Sequence, residues 1–349
     1  MSACRAARRS SLARVTVLSA ALLVPLGARA QFAQESPALE LVRLDARLDA
    51  LIAPGTHAEK IVAGHVWLEG PSWDARAGAL LFSDVVKNRL WRWTPGAGTD
   101  VELDPSGTTA RGPHAAREPG SNGTAFDARG RLLICQHGAR RIVRLEANGE
   151  LVVVADRYQG KRLNSPNDLW VAKNGDIYFT DPPFGLPRHF ADAGRELGWQ
   201  GVYRVRGSEL ELLIRDVRAP NGIALAPDER TLYVSNANRD EPVWLAYAID
   251  ADGRIGASRV FADARREAAT FAGVPDGMET DASGNLWAAG PGGLTIFAPD
   301  GARLSFLRTG IATSNVAFGG ESGTTAFITA SSAIWRIETR VRGGAVAKH

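Results

Sequence analysis

Short apolar runs separated by Gly-containing turns dominate the chain, and they return in one recurring phrase. In residues 164–185 the polar pair Asn167-Asp168 leads the apolar run Leu169–Val171, and Asn174-Gly175 marks a turn. A second run, 177–180, follows and ends at Asp181-Pro182-Pro183. Polar head, short strand, turn and second strand predict an antiparallel hairpin with a polar mouth. The same order appears with heads at Glu69, Asn122, Asn221 and Asp276, and more weakly at Asn315.

The six heads lie about 39 to 55 residues apart. A strand-rich repeat of that length is the mark of a β-propeller blade. Blades related by rotation place equivalent positions at one radius and height, so Glu69, Asn122, Asn167, Asn221, Asp276 and Asn315 are expected to ring one axial pocket. Leu41, Leu44, Leu48 and Leu51 keep helical spacing after Ser36-Pro37, a capping pair, and predict a short helix on the outside of the propeller. The last repeat lacks a fourth strand of its own, so residues 58–66 are expected to pair with 333–337 and close the ring. The expected fold is an all-β, six-bladed β-propeller with a short N-terminal helix. Its divisions are an export segment at 1–30, a helical segment at 31–57, the propeller at 58–339 and a disordered tail at 340–349. The Trp residues at 73, 91, 170, 287 and 335 are expected to pack between blades.

Composition changes the picture once the first thirty residues are set aside. Arg5, Arg8, Arg9 and Arg14 precede an apolar run at 15–26 and an Ala28-Arg29-Ala30 cleavage pattern, which predicts export to the periplasm or medium. Arg8-Arg9 with Leu12 faintly resembles a twin-arginine signal, and the export route stays open. The segment carries five Arg and no acid, so its removal turns the formal +3 into about −2. A near-neutral mature chain offers no basic patch for nucleic acid or membrane, and no second apolar segment to anchor it. Cys4 leaves with the segment, so Cys135 has no partner in the mature chain and reads as a small core residue.

Two carboxylates and several amides converging on one axis need a reason to be buried, because unpaired charges there are costly. A hard divalent cation supplies one, and carboxylate and amide oxygens are the ligands of Ca²⁺. Zinc fits less well, since the six His residues are scattered and no thiolate cluster exists. No Gly-x-Ser-x-Gly elbow supports a nucleophilic hydrolase. Residues 107–120, 182–201 and 265–273 are candidate rim loops; the second bears Phe184, His189, Phe190 and Trp199 and is long enough for a lid. His137 reads as a structural His or a contact at the pocket rim.

The phrases at 67–73, 121–127, 163–168, 178–183, 220–222 and 275–277 together resemble the gluconolactonase and senescence-marker-protein (regucalcin-like) superfamily. The likeness spans roughly residues 38–337. It implies a six-bladed propeller with one axial divalent metal, its Glu matching Glu69, its Asn matching Asn221 and its Asp matching Asp276. Asn167 matches a further pocket Asn that meets metal or substrate, and Asp276 matches the proposed proton carrier. Animal members have an Arg where this chain has Ser165, so the Asn-Ser-Pro-Asn-Asp version resembles the bacterial and fungal branch.

The reading that follows is an exported, metal-dependent lactonase for a sugar lactone such as glucono-1,5-lactone. Asp276 is its general base, with Asp181 or Asp168 sharing the proton work. Asn122, Asn164, Asn167, His137 and Asp181 are its candidate substrate contacts. Phosphotriester hydrolysis on the same scaffold, and a non-catalytic sugar or metal binder, are the alternatives.

Overall fold

A computed structural model describes residues 38–110 and 116–344. The export segment, the Ser36-Pro37 cap and residues 345–349 lie outside the described residues. Among the described residues six antiparallel sheets of four or five strands follow one another along the chain, each one repeat, besides a two-stranded ribbon at Arg157–Tyr158 and Lys161–Arg162. The first is typical: Leu68–Asp74, Ala79–Asp84, Arg89–Thr94 and Gly98–Leu103, each paired only with its sequence neighbours. Such local pairing follows from the tight turn that each repeat carries between its first two strands. The innermost strands begin within two residues of the polar heads, so all six heads crowd towards the axis.

Ring closure occurs as the sequence predicts. Glu59–Val62 pairs antiparallel with Ala333–Glu338 and becomes the outer strand of the sixth blade, Glu59 opposite Arg336 and Val62 opposite Ile334. The chain thus joins its two ends through backbone hydrogen bonds within one sheet.

The N-terminal helix is corrected. Glu40–Arg43 is a strand, paired with Arg303–Arg308 as a fifth, outermost strand on the fifth blade. Only Ala46–Ala50 winds, as a 3-10 turn opened by the Asp45 side chain, which accepts a hydrogen bond from the Arg47 N–H at 2.9 Å. The free edge of that blade competes for the backbone of residues 40–43, and the leucine spacing is used differently. Leu48, Leu51 and Ile52 bury against the fifth blade, while Leu44 is 51% exposed. The described part of the tail is also seated: the Arg340 N–H donates to the Leu51 carbonyl and Gly343 bridges to Asp281.

Between blades the core is aromatic and aliphatic. Trp73 of the first blade stacks on Phe327 of the sixth at 5.3 Å, and Trp287 of the fifth meets Phe318 of the sixth edge-on at 5.0 Å. Trp287 and Trp335 are fully buried. Burial of such rings drives the blades together, and truncation of one to Ala costs roughly 3–5 kcal/mol. Among the described residues no helix is long and apolar enough to cross a membrane.

Candidate functional site

Four of the six heads are followed by Gly, and turn formation is not the cause. Of the four, only Gly70 has a positive φ, +49°. What the glycines share is the absence of room. A methyl on Gly70 would overlap the Asn122 carbonyl, one on Gly222 the Asp276 carbonyl, and one on Gly277 the Asn315 amide. Gly123 meets Asn167 and Asp168 in the same way. Each glycine therefore lets the next blade's head approach the axis. Hydroxyls lace the inner strands across the gaps: Thr124 Oγ1 donates to the Gly70 carbonyl at 2.7 Å and Ser314 Oγ to the Leu68 carbonyl at 2.6 Å.

Five heads line one cavity of about 630 Å³: Glu69, Asn122, Asn167, Asn221 and Asp276. All five are buried. Their amides form a chain. Asn122 Nδ2 donates to Asn167 Oδ1 at 2.9 Å, Asn167 Nδ2 to Asn221 Oδ1, and the Asn221 amide to Asp276. Asn122 Oδ1 is buried and has no hydrogen-bond partner among the described residues. The sixth head, Asn315, does not line the cavity; its Nδ2 donates to Glu69 Oε2 at 3.5 Å and to Asp168 Oδ2 at 3.4 Å. Asp168 stands where four other heads have Gly, and its side chain reaches across from the third blade to the sixth.

Three carboxyls thus share the axis. Burial pushes Glu69 and Asp276 above the usual carboxylate range, and each is raised further by acidic neighbours, Asp168 among them. Burial pushes Asp168 up to about 7. A proton or a cation relieves this arrangement. The donor set fits a hard dication: two carboxylates, the amide oxygens of Asn167 and Asn221, and space in the cavity for water. Among the described residues no three His, Cys, Asp or Glu side chains converge as a metal cluster, so a cation here depends on the amides as much as on the acids.

Three of the expected substrate contacts lie outside the cavity lining. Asn164, Asp181 and His137 are fully buried and do not line the cavity. Asn164 Nδ2 donates to the carbonyls of Asp181 at 3.0 Å and Trp199 at 2.9 Å. The Asp181 carboxylate accepts the N–H groups of Asn164 at 2.7 Å and Ser165 at 2.8 Å. His137 Nδ1 lies 3.0 Å from the Pro166 carbonyl and Nε2 3.2 Å from Glu118. Asn164 and Asp181 tie the segment before Asn167 to the third blade, and His137 ties it to the second, so these groups position a head from outside the cavity lining. Ser165 is buried in the same way, its hydroxyl given to the Pro182 carbonyl.

The rim comes from loops that the repeat pattern does not describe. Phe184, His189, Phe190 and Gln200 come from the long third-blade insertion, as expected of a lid, while Trp199 instead donates to Tyr203. Arg117 and Glu118 come from the 107–120 segment, whose residues 111–115 lie outside the described residues. Arg218, Asn238, Arg239 and Asp240 were not anticipated. Residues 265–273 are absent from the lining; Phe271 packs on Phe306.

The family description "SMP-30/Gluconolactonase/LRE-like region" matches residues 67–332. A gluconolactonase of Zymomonas mobilis is 39% identical over 352 residues, which cover 95% of this chain and 99% of that protein. The solved structure of a gluconolactonase from Xanthomonas campestris superposes with a TM-score of 0.74 at 33% identity, covering 88% of this chain and 98% of its own. A calcium-binding regucalcin from Agrobacterium tumefaciens has a TM-score of 0.63 at 19% identity, covering 81% and 95%, and shares the fold.

Proposed function

The chain belongs to the SMP-30/gluconolactonase/LRE-like family, and from that premise we propose that it hydrolyses a sugar lactone of the glucono-1,5-lactone kind. The reading includes one divalent cation, Ca²⁺ by ligand type, held by Glu69, Asn167, Asn221 and Asp276. The observation that carries it is the cavity floor, where two acids with raised affinity for a positive charge sit among three amides. When bound, the cation supplies Lewis acidity towards the ester carbonyl.

The chain's own residues do the rest. Asn122 offers an unused buried acceptor, Oδ1, to a substrate hydroxyl, an arrangement that suits a polyol and disfavours an apolar ester. Phe184, Phe190 and Trp67 supply apolar rim surface and displace water around the ring. Asp276 takes a proton from the attacking water while the new C–O bond forms at the lactone carbonyl carbon. The ring C–O bond then breaks, and the ring oxygen leaves as a hydroxyl carrying the proton returned by Asp276. The aldonic acid ionises at neutral pH and releases one proton. Asp181, buried behind Asn164, is withdrawn from the proton work.

The test is a proton-release assay on purified protein against glucono-1,5-lactone and a phosphotriester, before and after chelation and with Ca²⁺ restored. The expected outcome is lactone turnover that chelation removes and Ca²⁺ restores. Faster phosphotriester cleavage would overturn the substrate class, and chelator-resistant turnover would overturn the cation.

A further inference from the structure

The cavity mouth is asymmetric in charge. On one side Arg117 Nη1 lies 2.9 Å from His189 Nε2, and Glu118 lies against His137, so these charges have partners. On the fourth-blade side, Arg218 and Arg239 line the cavity, and among the described residues neither guanidinium is hydrogen-bonded or ion-paired. Asn238 lines the cavity with them, and its Nδ2 is a buried donor without an acceptor. Asp240 shares the rim and pairs with neither arginine among the described residues, which leaves two positive charges against one negative.

This wall is built into the blade. The two loops that carry the arginines are joined by a backbone bond from the Ala237 N–H to the Ala219 carbonyl at 2.8 Å. Asn236, buried at the strand end, locks both: its Oδ1 accepts the Ala219 N–H at 3.2 Å and the Asn238 N–H at 3.3 Å. Its Nδ2 donates to the Glu241 carbonyl at 3.1 Å. Arg218 is three residues from Asn221 on the floor, a span of at most about 10 Å along extended chain.

We propose that Arg218, Asn238 and Arg239 form a subsite for an anionic substituent at the end of the lactone remote from the ester. The inference rests on the lactonase reading for its substrate and narrows that substrate to acidic sugar lactones. Paired guanidinium groups with an amide donor match the oxygens of a carboxylate, phosphate or sulfonate through charge-assisted hydrogen bonds. The carboxylate floor would repel such a group, so the anion is held at the rim and the neutral ester is directed inward.

The experiment compares kcat/KM for glucono-1,5-lactone with its 6-phospho, 6-sulfo and 6-carboxylate counterparts, with added dication and subtraction of spontaneous hydrolysis. At low ionic strength at least one anionic lactone is expected to exceed the neutral one by about tenfold or more, equivalent to one charge-assisted contact. Salt should shrink the ratio, because the rim is exposed. In the double variant Arg218→Ala/Arg239→Ala the ratio should collapse towards one, through KM. No anionic preference, or a preference that survives the double variant, overturns the subsite while neutral turnover leaves the lactonase reading standing. Should no lactone be turned over, that reading fails, and calorimetry decides the subsite alone. Tighter binding of 6-phosphogluconate than gluconate, lost in the double variant, supports it, and equal binding overturns it.

Discussion

Two groups of buried Asn and Asp side chains meet at the third blade, and their place relative to the cavity sets them apart. Asn164 Nδ2 and the Asp181 carboxylate have partners at 2.7–3.0 Å, while Asn164 Oδ1 is buried without one. On the axis, Asn122 keeps an unbonded Oδ1, and the bonds to Glu69 are long, at 3.3 and 3.5 Å. Buried polar groups that are satisfied hold a structure together, while unsatisfied ones store cost for a ligand to remove. Satisfaction alone does not divide the two sets, but place does: Asn122 lines the cavity, whereas Asn164 lies outside the lining and spends its amide hydrogens on carbonyls of its own blade, so the first set is read as lashing and the second as site.

The strongest way to break this comparison is Asp276→Asn. Activity is expected to fall by about 10²–10⁴-fold, the range of a lost general base. The melting temperature of the chelator-treated variant is expected to hold or rise, since one of three mutually repelling buried acids is gone. A marked fall in melting temperature with activity intact would move Asp276 into the lashing. Asn164→Ala tests the other set. It leaves the carbonyls of Asp181 and Trp199 without their donor, which costs about 2–3 kcal/mol by denaturant unfolding. Activity per folded molecule, assayed well below the melting transition, should change little. Loss of turnover at full stability would return Asn164 to the site.

What the sequence could show follows the same division. The repeat names the heads, the blades and the closing strand, because rotation turns sequence position into radius and height. It also shows the glycines, though their reason is steric: Gly277 yields its Cβ space to Asn315. Cavity lining has no such signature, so Asn164, Asp181 and His137 read as candidate contacts from the sequence although they lie outside it. Residues 40–43 kept a helical spacing while a sheet edge, far away in sequence, claimed their backbone. Arg218 and Arg239 escaped notice because each occurs in a loop peculiar to one blade. A weak signal existed, since Arg218 immediately precedes the Ala-Pro-Asn-Gly phrase.

The smallest effect separates two forces on one carboxyl. Burial pushes Asp181 up to about 7 from an ordinary 3.8, while the N–H groups of Asn164 and Ser165 and the charge of Arg140 pull it down. With the folded value above the unfolded one, the native protein binds the extra proton between about pH 4 and 7. Its contribution to stability is whole below about pH 4 and is lost as pH rises through 7. Asp181→Asn cannot titrate, and its single amide oxygen serves only one of the two N–H groups, a loss of about 1–3 kcal/mol. Other titrations are shared by both proteins and largely cancel in the difference. The stability gap between wild type and variant, from urea unfolding of chelator-treated protein, should therefore be widest at about pH 4 and narrow towards pH 8. A gap that widens with pH would mean that the two N–H donors outweigh burial, and that Asp181 holds the loop as an anion.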